Sequence, residues 1–335
     1  MSTPRSLLAG LFRPQYVLLW VLLVMVAVFM TVSPSFRTVE NFMDILRASG
    51  IIAVLVLGLT WIVATGEIDV SFPDVAAFSS VITALCIQKG MGWAAAPVVA
   101  ILAGTAFGLL SGSLVVFFRF PSLIATIAAA TVAKATAMTI GKGGPISVDA
   151  VSPTITFLVH GTVGSVPVLI FIVAAIYMGF AYLQNCTMLG QHLYALGENR
   201  QAALEAGIRE KRIVLSVFVL SALLASCGGV LSIASFRSGK PGLGSEYFID
   251  GMTAVFLGAM IIKAGKPNVI GTLIGAVMLS ALGIGLTPIG VREYVGDMIK
   301  GGLMIFGIVI IAVSRYRLTH RPSGTAPVEL SAADS

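Results

Sequence analysis

The chain has 335 residues, 57% of them apolar and 11% charged, with a mean hydropathy of +0.98. Soluble domains carry roughly 25% charged residues, so this composition excludes a soluble protein: lipid must solvate much of the apolar surface. The formal charge of +6 reads as cationic loops facing anionic lipid, because no basic patch interleaved with aromatics points to nucleic acid.

Residues 1–15 are polar and carry Arg5 and Arg13. An apolar run over 16–33 follows, longer than a signal-peptide core and without a small-residue cleavage site, which predicts an uncleaved first span. Further apolar segments fall at 49–65, 71–88, 93–117, 121–140, 165–184, 213–235, 248–262, 268–286 and 297–314. The runs are too long and continuous for barrel strands of roughly 10 residues. The predicted fold class is therefore an all-α polytopic membrane protein of about ten transmembrane helices. Several segments fall short of the ~20 residues of a straight span, so eight spans plus two re-entrant segments also fit. With the N-terminus inside, alternation puts the majority of the 21 Lys and Arg residues inside. That bias predicts both termini in the cytoplasm. The transmembrane domain is expected over 16–314, and the tail 315–335 is small, polar and expected to be disordered.

Within the spans, Gly104, Gly108 and Gly112 repeat every four residues, as do Gly271 and Gly275. Such spacing puts small residues on one helix face and lets helices approach closely in lipid. Ala53–Gly58 faintly echoes Ala254–Gly258, as duplicated halves or chance would produce. Lys134 is the one basic residue deep in an apolar run. It reads either as a functional charge facing a cavity or as a side chain snorkelling to a nearby span end.

Bond-breaking chemistry has no motif here. Gly265-Lys266 is followed by Pro267 and lacks a phosphate-cradling loop, and no Gly-x-Ser-x-Gly elbow occurs. Cys86, Cys186 and Cys227 show no CxxC spacing and read as small buried hydrophobes. His160, His192 and His320 form no metal-ligand pair, so no metal or cofactor is expected on this chain.

The informative interruption is the stretch LGQHLYALGENRQAALEAGIREKRIV, residues 189–214, whose polar part lies in a loop over 185–212. Asn199 is placed to cap a short helix beginning Arg200-Gln201-Ala202-Ala203, and Gly207 suits the left-handed position that stops it. Ala202, Ala203 and Ala206 would give that helix a slim face. A short helix held between two spans fits a groove on a soluble partner. The same pattern suits a linker lying on lipid headgroups.

Several motifs resemble one family in order. Tyr194-Ala195-Leu196-Gly197-Glu198-Asn199, Ala202-Ala203 and Ala206-Gly207-Ile208 resemble the cytoplasmic motif of ribose-type ABC sugar importer permeases. Ser33-Pro34-Ser35-Phe36 through Asn41, Gly58-Leu59-Thr60, Thr65-Gly66, Ile68-Asp69-Val70-Ser71, Phe120–Thr126 and Gly271–Ala276 resemble the family's other motifs. The resemblance covers roughly residues 30–315. It implies a permease subunit in a bacterial inner membrane, paired with a second permease chain. It also implies a periplasmic sugar-binding protein and a separate two-domain ATPase that uses ATP and Mg. On that reading Leu196, Gly197, Glu198, Asn199, Ala202, Ala203, Ala206, Gly207 and Ile208 form the coupling contact with the ATPase. Asp69 and Ser71 are candidate pathway residues, with Ser122 and Thr126 behind them. The segment around them reads equally as a polar turn at the cytoplasmic surface. Arg237, Lys240, Glu246 and Asp250 fall on an outside loop, solvated or docking the binding protein.

Departures from the pattern are Pro73 and Asp74 after Phe72, and Ala259, Lys263 and Ala264 in a loop that is usually glycine-rich. They fit a permease that pairs with a related permease, or one with a divergent substrate. The alternative function is an ion-gradient-driven transporter, for which Lys134 with Asp69 would have to serve as the relay.

Overall fold

A computed structural model describes residues 17–262 and 265–319. Each of the ten apolar segments is occupied by a helix: α1 Val17–Val32, α2 Val39–Ala64, α3 Phe72–Gln88, α4 Ala96–Val116 and α5 Ser122–Ile140. Then come α6 Pro153–His160, a short helix outside the predicted segments, and α7 Val168–Cys186. The polar stretch forms α8 Met188–Glu198 and α9 Arg200–Glu205. The remaining helices are α10 Glu210–Phe236, α11 Leu243–Gly258, α12 Val269–Leu286 and α13 Glu293–Thr319. Two 3-10 turns, Pro34–Arg37 and Thr287–Ile289, and two antiparallel ladders of two residues per strand complete the described chain. One pairs β1 Ile146–Ser147 with β4 Ser238–Gly239, and the other pairs β2 Thr162–Val163 with β3 Val166–Pro167.

Helix ends differ from the apolar runs where local capping outranks hydropathy. α2 begins ten residues before its apolar segment, because Thr38 caps it by accepting from the Asn41 N–H at 3.2 Å. α13 runs to Thr319, past the predicted span end and into the predicted tail. Lys263, the unexpected charge in the glycine-poor loop, and residues 1–15 lie outside the described residues.

Among the described residues, six helices are long and apolar enough to cross a membrane by length and composition: α2, α4, α5, α7, α10 and α12. The protein is thus an all-α, multi-pass membrane protein. α2 and α10 are the enclosed pair, with α3, α4 and α12 packed around them. Close approach depends on the glycines. A Cβ on Gly104, Gly108 or Gly112 of α4 would meet Ser226, Ala222 or Leu215 of α10 at 2.1–2.9 Å. One on Gly271 or Gly275 of α12 would meet the Gly258 or Ala254 carbonyl of α11 at 2.0 or 2.4 Å. Both repeats therefore sit on helix–helix seams, where packing replaces the hydrophobic drive that lipid cannot supply. Several polar groups at depth are paired across helices, although the Trp61 indole N–H and the Ser111, Thr253 and Ser280 hydroxyls have no partner within the described residues. Thr60 donates to Thr272 Oγ1 at 2.9 Å across α2 and α12, and Tyr177 donates to the Ala53 carbonyl at 2.9 Å across α7 and α2.

Candidate functional site

The polar stretch folds back against the bundle rather than hanging free. Gly190 lies so close to the end of α7 that a Cβ would stand 1.8 Å from the Gln184 carbonyl, which lets the chain reverse between α7 and α8. Gly190, Leu193 and Leu196 then recur at helical spacing and form the buried face of α8.

Two loops receive that face. The first follows α2. Gly197 abuts it, and a Cβ there would lie 2.2 Å from the Ala64 carbonyl and 3.3 Å from the Gly66 N–H. Gly66 itself has φ 83°, a left-handed turn that an L side chain resists. The second loop precedes α12. Tyr194 donates its hydroxyl to the Pro267 carbonyl at 2.8 Å, and Lys266 is ion-paired with Glu198. Gln184 accepts from the Val269 N–H at 2.9 Å. Burial pushes the Tyr194 phenol up to about 12, with Glu198 adding to it, so the hydroxyl stays protonated as a donor.

Asn199 ends α8 and starts α9: its side chain accepts from the Ala202 N–H at 3.0 Å. Gly207, at φ 82°, stops α9. Arg200 joins three elements. It donates to Glu67 at 3.0 Å and also pairs with Glu210 at the start of α10. The hydrogen bond to Glu210 holds the Arg200 guanidinium above its ordinary range, and the Glu67 charge adds to this.

The nine residues expected to meet a partner divide in three. Glu198, Asn199, Ala202, Ala206 and Gly207 are exposed. Leu196 and Ala203 are buried, each 4% exposed, and belong to the chain's own apolar core; Gly197 and Ile208 are half-buried. The predicted slim face of Ala202, Ala203 and Ala206 is therefore corrected to Ala202 and Ala206. Positions four apart share a face, whereas Ala203 stands about 100° round the helix from Ala202. Leu204 and Glu205 are also exposed on α9.

The four candidate pathway residues come together, but around backbone. Asp69 Oδ1 accepts from the Ser71 N–H at 2.7 Å and the Ser71 hydroxyl at 2.6 Å, and Oδ2 accepts from Ser221 of α10 at 3.1 Å. Ser122 accepts from the Ile68 N–H at 3.1 Å, and Thr126 from the Val70 N–H at 3.3 Å. All four are buried. They form a clasp that satisfies the loop after α2 and ties it to α5 and α10. Neither Ser221 nor the amide of Asn268, which caps α12, was singled out from sequence. An Asn directly before an apolar run was the available signal for Asn268.

A family model described as "Branched-chain amino acid transport system / permease component" matches residues 41–308. The chain belongs to this permease family. The ribose import permease RbsC of Escherichia coli (strain K12) is 30% identical over 292 residues, 86% of this chain and 91% of that protein. The D-allose permease AlsC of the same organism is 26% identical over 307 residues, 90% of this chain and 92% of that one. The L-arabinose permease AraH of Azospirillum brasilense is 25% identical over 304 residues, 90% of this chain and 88% of that one. A solved metal-chelate type ABC transporter in an inward-facing conformation shares the fold. Its TM-score is 0.50 at 17% identity, covering 91% of this chain and 98% of that one.

The chain is thus an ABC importer permease, a transport subunit rather than an enzyme. The permease also carries charge within its helices. Lys300 of α13 pairs with Asp250 of α11 at 2.7 Å beside a cavity of about 620 Å³, which places Asp250 in that pair rather than on a free loop. Lys134 is exposed in the second half of α5, within electrostatic reach of Asp74 of α3. Helical side chains tilt towards the N-terminus. The tilt takes Lys134 away from the nearer helix end, which opposes snorkelling there.

Proposed function

We propose that the permease conducts a sugar or sugar-like solute across a bacterial inner membrane, driven by a separate two-domain ATPase that docks on α9. The observation that carries this reading is the seating of α8 and α9. They are tied to the loop after α2 and to the loop before α12, while Ala202, Leu204, Glu205 and Ala206 face outward. A push on α9 would reach α2 and α3 through Gly197 and Arg200, and α11 and α12 through Tyr194 and Glu198. Two helix pairs would then tilt together, as alternating access requires. ATP and Mg would be bound by the partner. The sugar assignment follows the ribose, allose and arabinose relatives.

The finer arrangement belongs to the same proposal: ten spans, both termini in the cytoplasm, a second permease chain and a periplasmic binding protein. Asp69, Ser71, Ser122 and Thr126 would act on the pathway by holding the loop after α2, not by touching solute in this conformation. The exposed Lys134 would face the aqueous path, because a charge in lipid costs about 2.5–3.5 kcal/mol.

The test is a pair of arginine substitutions assayed in proteoliposomes containing the whole transporter. Ala206→Arg should abolish solute uptake while the purified permease keeps its melting temperature. Ala203→Arg should lower that temperature, because its site is buried. Normal uptake with Ala206→Arg would sink the docking assignment.

A further inference from the structure

A second charged site lies beside α9, and neither coupling nor solute passage accounts for it. The turn between α4 and α5 reads Phe117-Phe118-Arg119-Phe120-Pro121. Its three phenylalanines are exposed at 61%, 69% and 50%. Phe118 and Phe120 stack with centroids 6.5 Å apart and planes 15° apart. Arg119 between them has φ 57°, a left-handed conformation uncommon for a residue with a side chain. The turn borders a pocket of about 470 Å³ whose polar walls are Glu67, Arg119, Ser122, Arg200, Glu210 and Lys211.

The charges in the pocket do not cancel. Arg200 occupies both carboxylates, Glu67 and Glu210. Arg119 and Lys211 are exposed and have no acidic partner among the described residues. The N-termini of α5 and α10 border the same pocket, and no side chain caps either. Their free N–H groups add positive potential. Ser122 accepts from Ile68, which leaves its hydroxyl hydrogen free to donate.

Two chemistries meet here: an unneutralised cationic pocket, and three exposed aromatic rings where one span ends and the next begins. Aromatic rings at that level belong in the headgroup layer, and basic pockets between helices at the cytoplasmic side take lipid headgroups. We propose that this pocket binds the phosphate of an anionic phospholipid, with Arg119 and Lys211 as its ligands. The acyl chains would lie along Phe117, Phe118 and the exposed Leu109 and Leu110 of α4. An acidic patch on a soluble partner would satisfy the two cations but leave the phenylalanines in water. The proposal rests on the membrane reading and on the proposed cytoplasmic placement of α9, and is independent of the solute.

The experiment uses the purified transporter, wild type and Arg119→Gln/Lys211→Gln. Each is incubated with phosphatidylglycerol, phosphatidylcholine or inorganic phosphate, then followed by native mass spectrometry and thermal unfolding. Wild type should retain phosphatidylglycerol and gain thermal stability from it, but gain nothing from phosphatidylcholine or inorganic phosphate. Each removed cation should weaken retention about fivefold. Should the double variant fold poorly, Lys211→Gln alone, at an exposed position, reads the single-charge step.

Equal retention by variant and wild type would overturn the proposal, as would equal stabilisation by both lipids. Full stabilisation by inorganic phosphate would make it a free-anion site. Loss of the co-purifying ATPase with lipid retention unchanged would make it a partner-docking surface.

Discussion

The loop after α2 and the loop before α12 both end against α8, yet they are held by different chemistry. The first is clasped by a carboxylate. Asp69 only accepts hydrogen bonds, and the groups around it are donors: the Ser71 N–H and the hydroxyls of Ser71 and Ser221. The second is clasped by an amide. Asn268 accepts from the Gly271 N–H at 2.7 Å and donates to the Ile261 and Gly258 carbonyls at 2.8 and 3.1 Å. A carboxylate could not replace it, because the end of α11 offers carbonyls while the start of α12 offers an N–H. Their links to α8–α9 differ as well. The first loop is held by the buried Glu67 to Arg200, and the second by a neutral hydrogen bond from Tyr194 and one exposed ion pair of Lys266 with Glu198. Each clasp residue matches the backbone groups left open where one helix ends and the next begins.

Substitutions that exchange the two clasps break this comparison most sharply. Asn268→Asp should be the most damaging, at about 3 kcal/mol or more, since two buried carbonyls lose their donor and face a carboxylate instead. The melting temperature of the detergent-purified permease reads it. Gly197→Leu should come next, costing about 1–3 kcal/mol through overpacking against the α2 backbone. It should also loosen α8, visible as faster hydrogen exchange across residues 188–198. Asp69→Asn should cost only about 1 kcal/mol. It keeps one acceptor oxygen for Ser71, and the Ser221 hydroxyl can turn to accept from the new amide. A drop as large as that of Asn268→Asp would show that the two clasps are not distinguished by donor–acceptor matching.

The smallest effect concerns Tyr194. Tyr194→Phe removes one hydrogen bond and should cost about 0.5–1.5 kcal/mol near neutral pH. The folded pKa is raised above the ordinary 10.0 to about 12. Its contribution is therefore complete below pH 10 and is lost as pH rises through 12. Wild type and variant should converge in stability across that window. A gap unchanged at pH 12 would refute the assignment of Tyr194 as the donor.

Much of this was legible in residue order. Ten apolar runs became ten helices, and the glycine repeats fell on the α4–α10 and α11–α12 seams. Asn199 and Gly207 bound α9 where capping chemistry places them. α8 was not anticipated as a separate element, because, beyond the local contact of Gly190 with Gln184, its buried face has meaning only against loops 120 and more residues away or across α10 and α11. The 66–74 segment was read as facing a cavity or as a surface turn. Its Asp69 and Ser71 form a buried clasp, since its acceptors sit on α5 and its further donor, Ser221, on α10, while Gly66 and Ile68 stay exposed.

The sequence by itself determined what depends on neighbours within a turn or two: hydropathy, spacing, capping, the small residues that permit close packing, and the family motifs. Tertiary structure decided which way each of those residues points. Ala202 and Ala203 are chemically identical and adjacent, yet one is exposed and the other buried. Their difference is which side of α9 lies against the apolar core, and the pairing of Arg200 with Glu67 and Glu210, distant in sequence, holds α9 there.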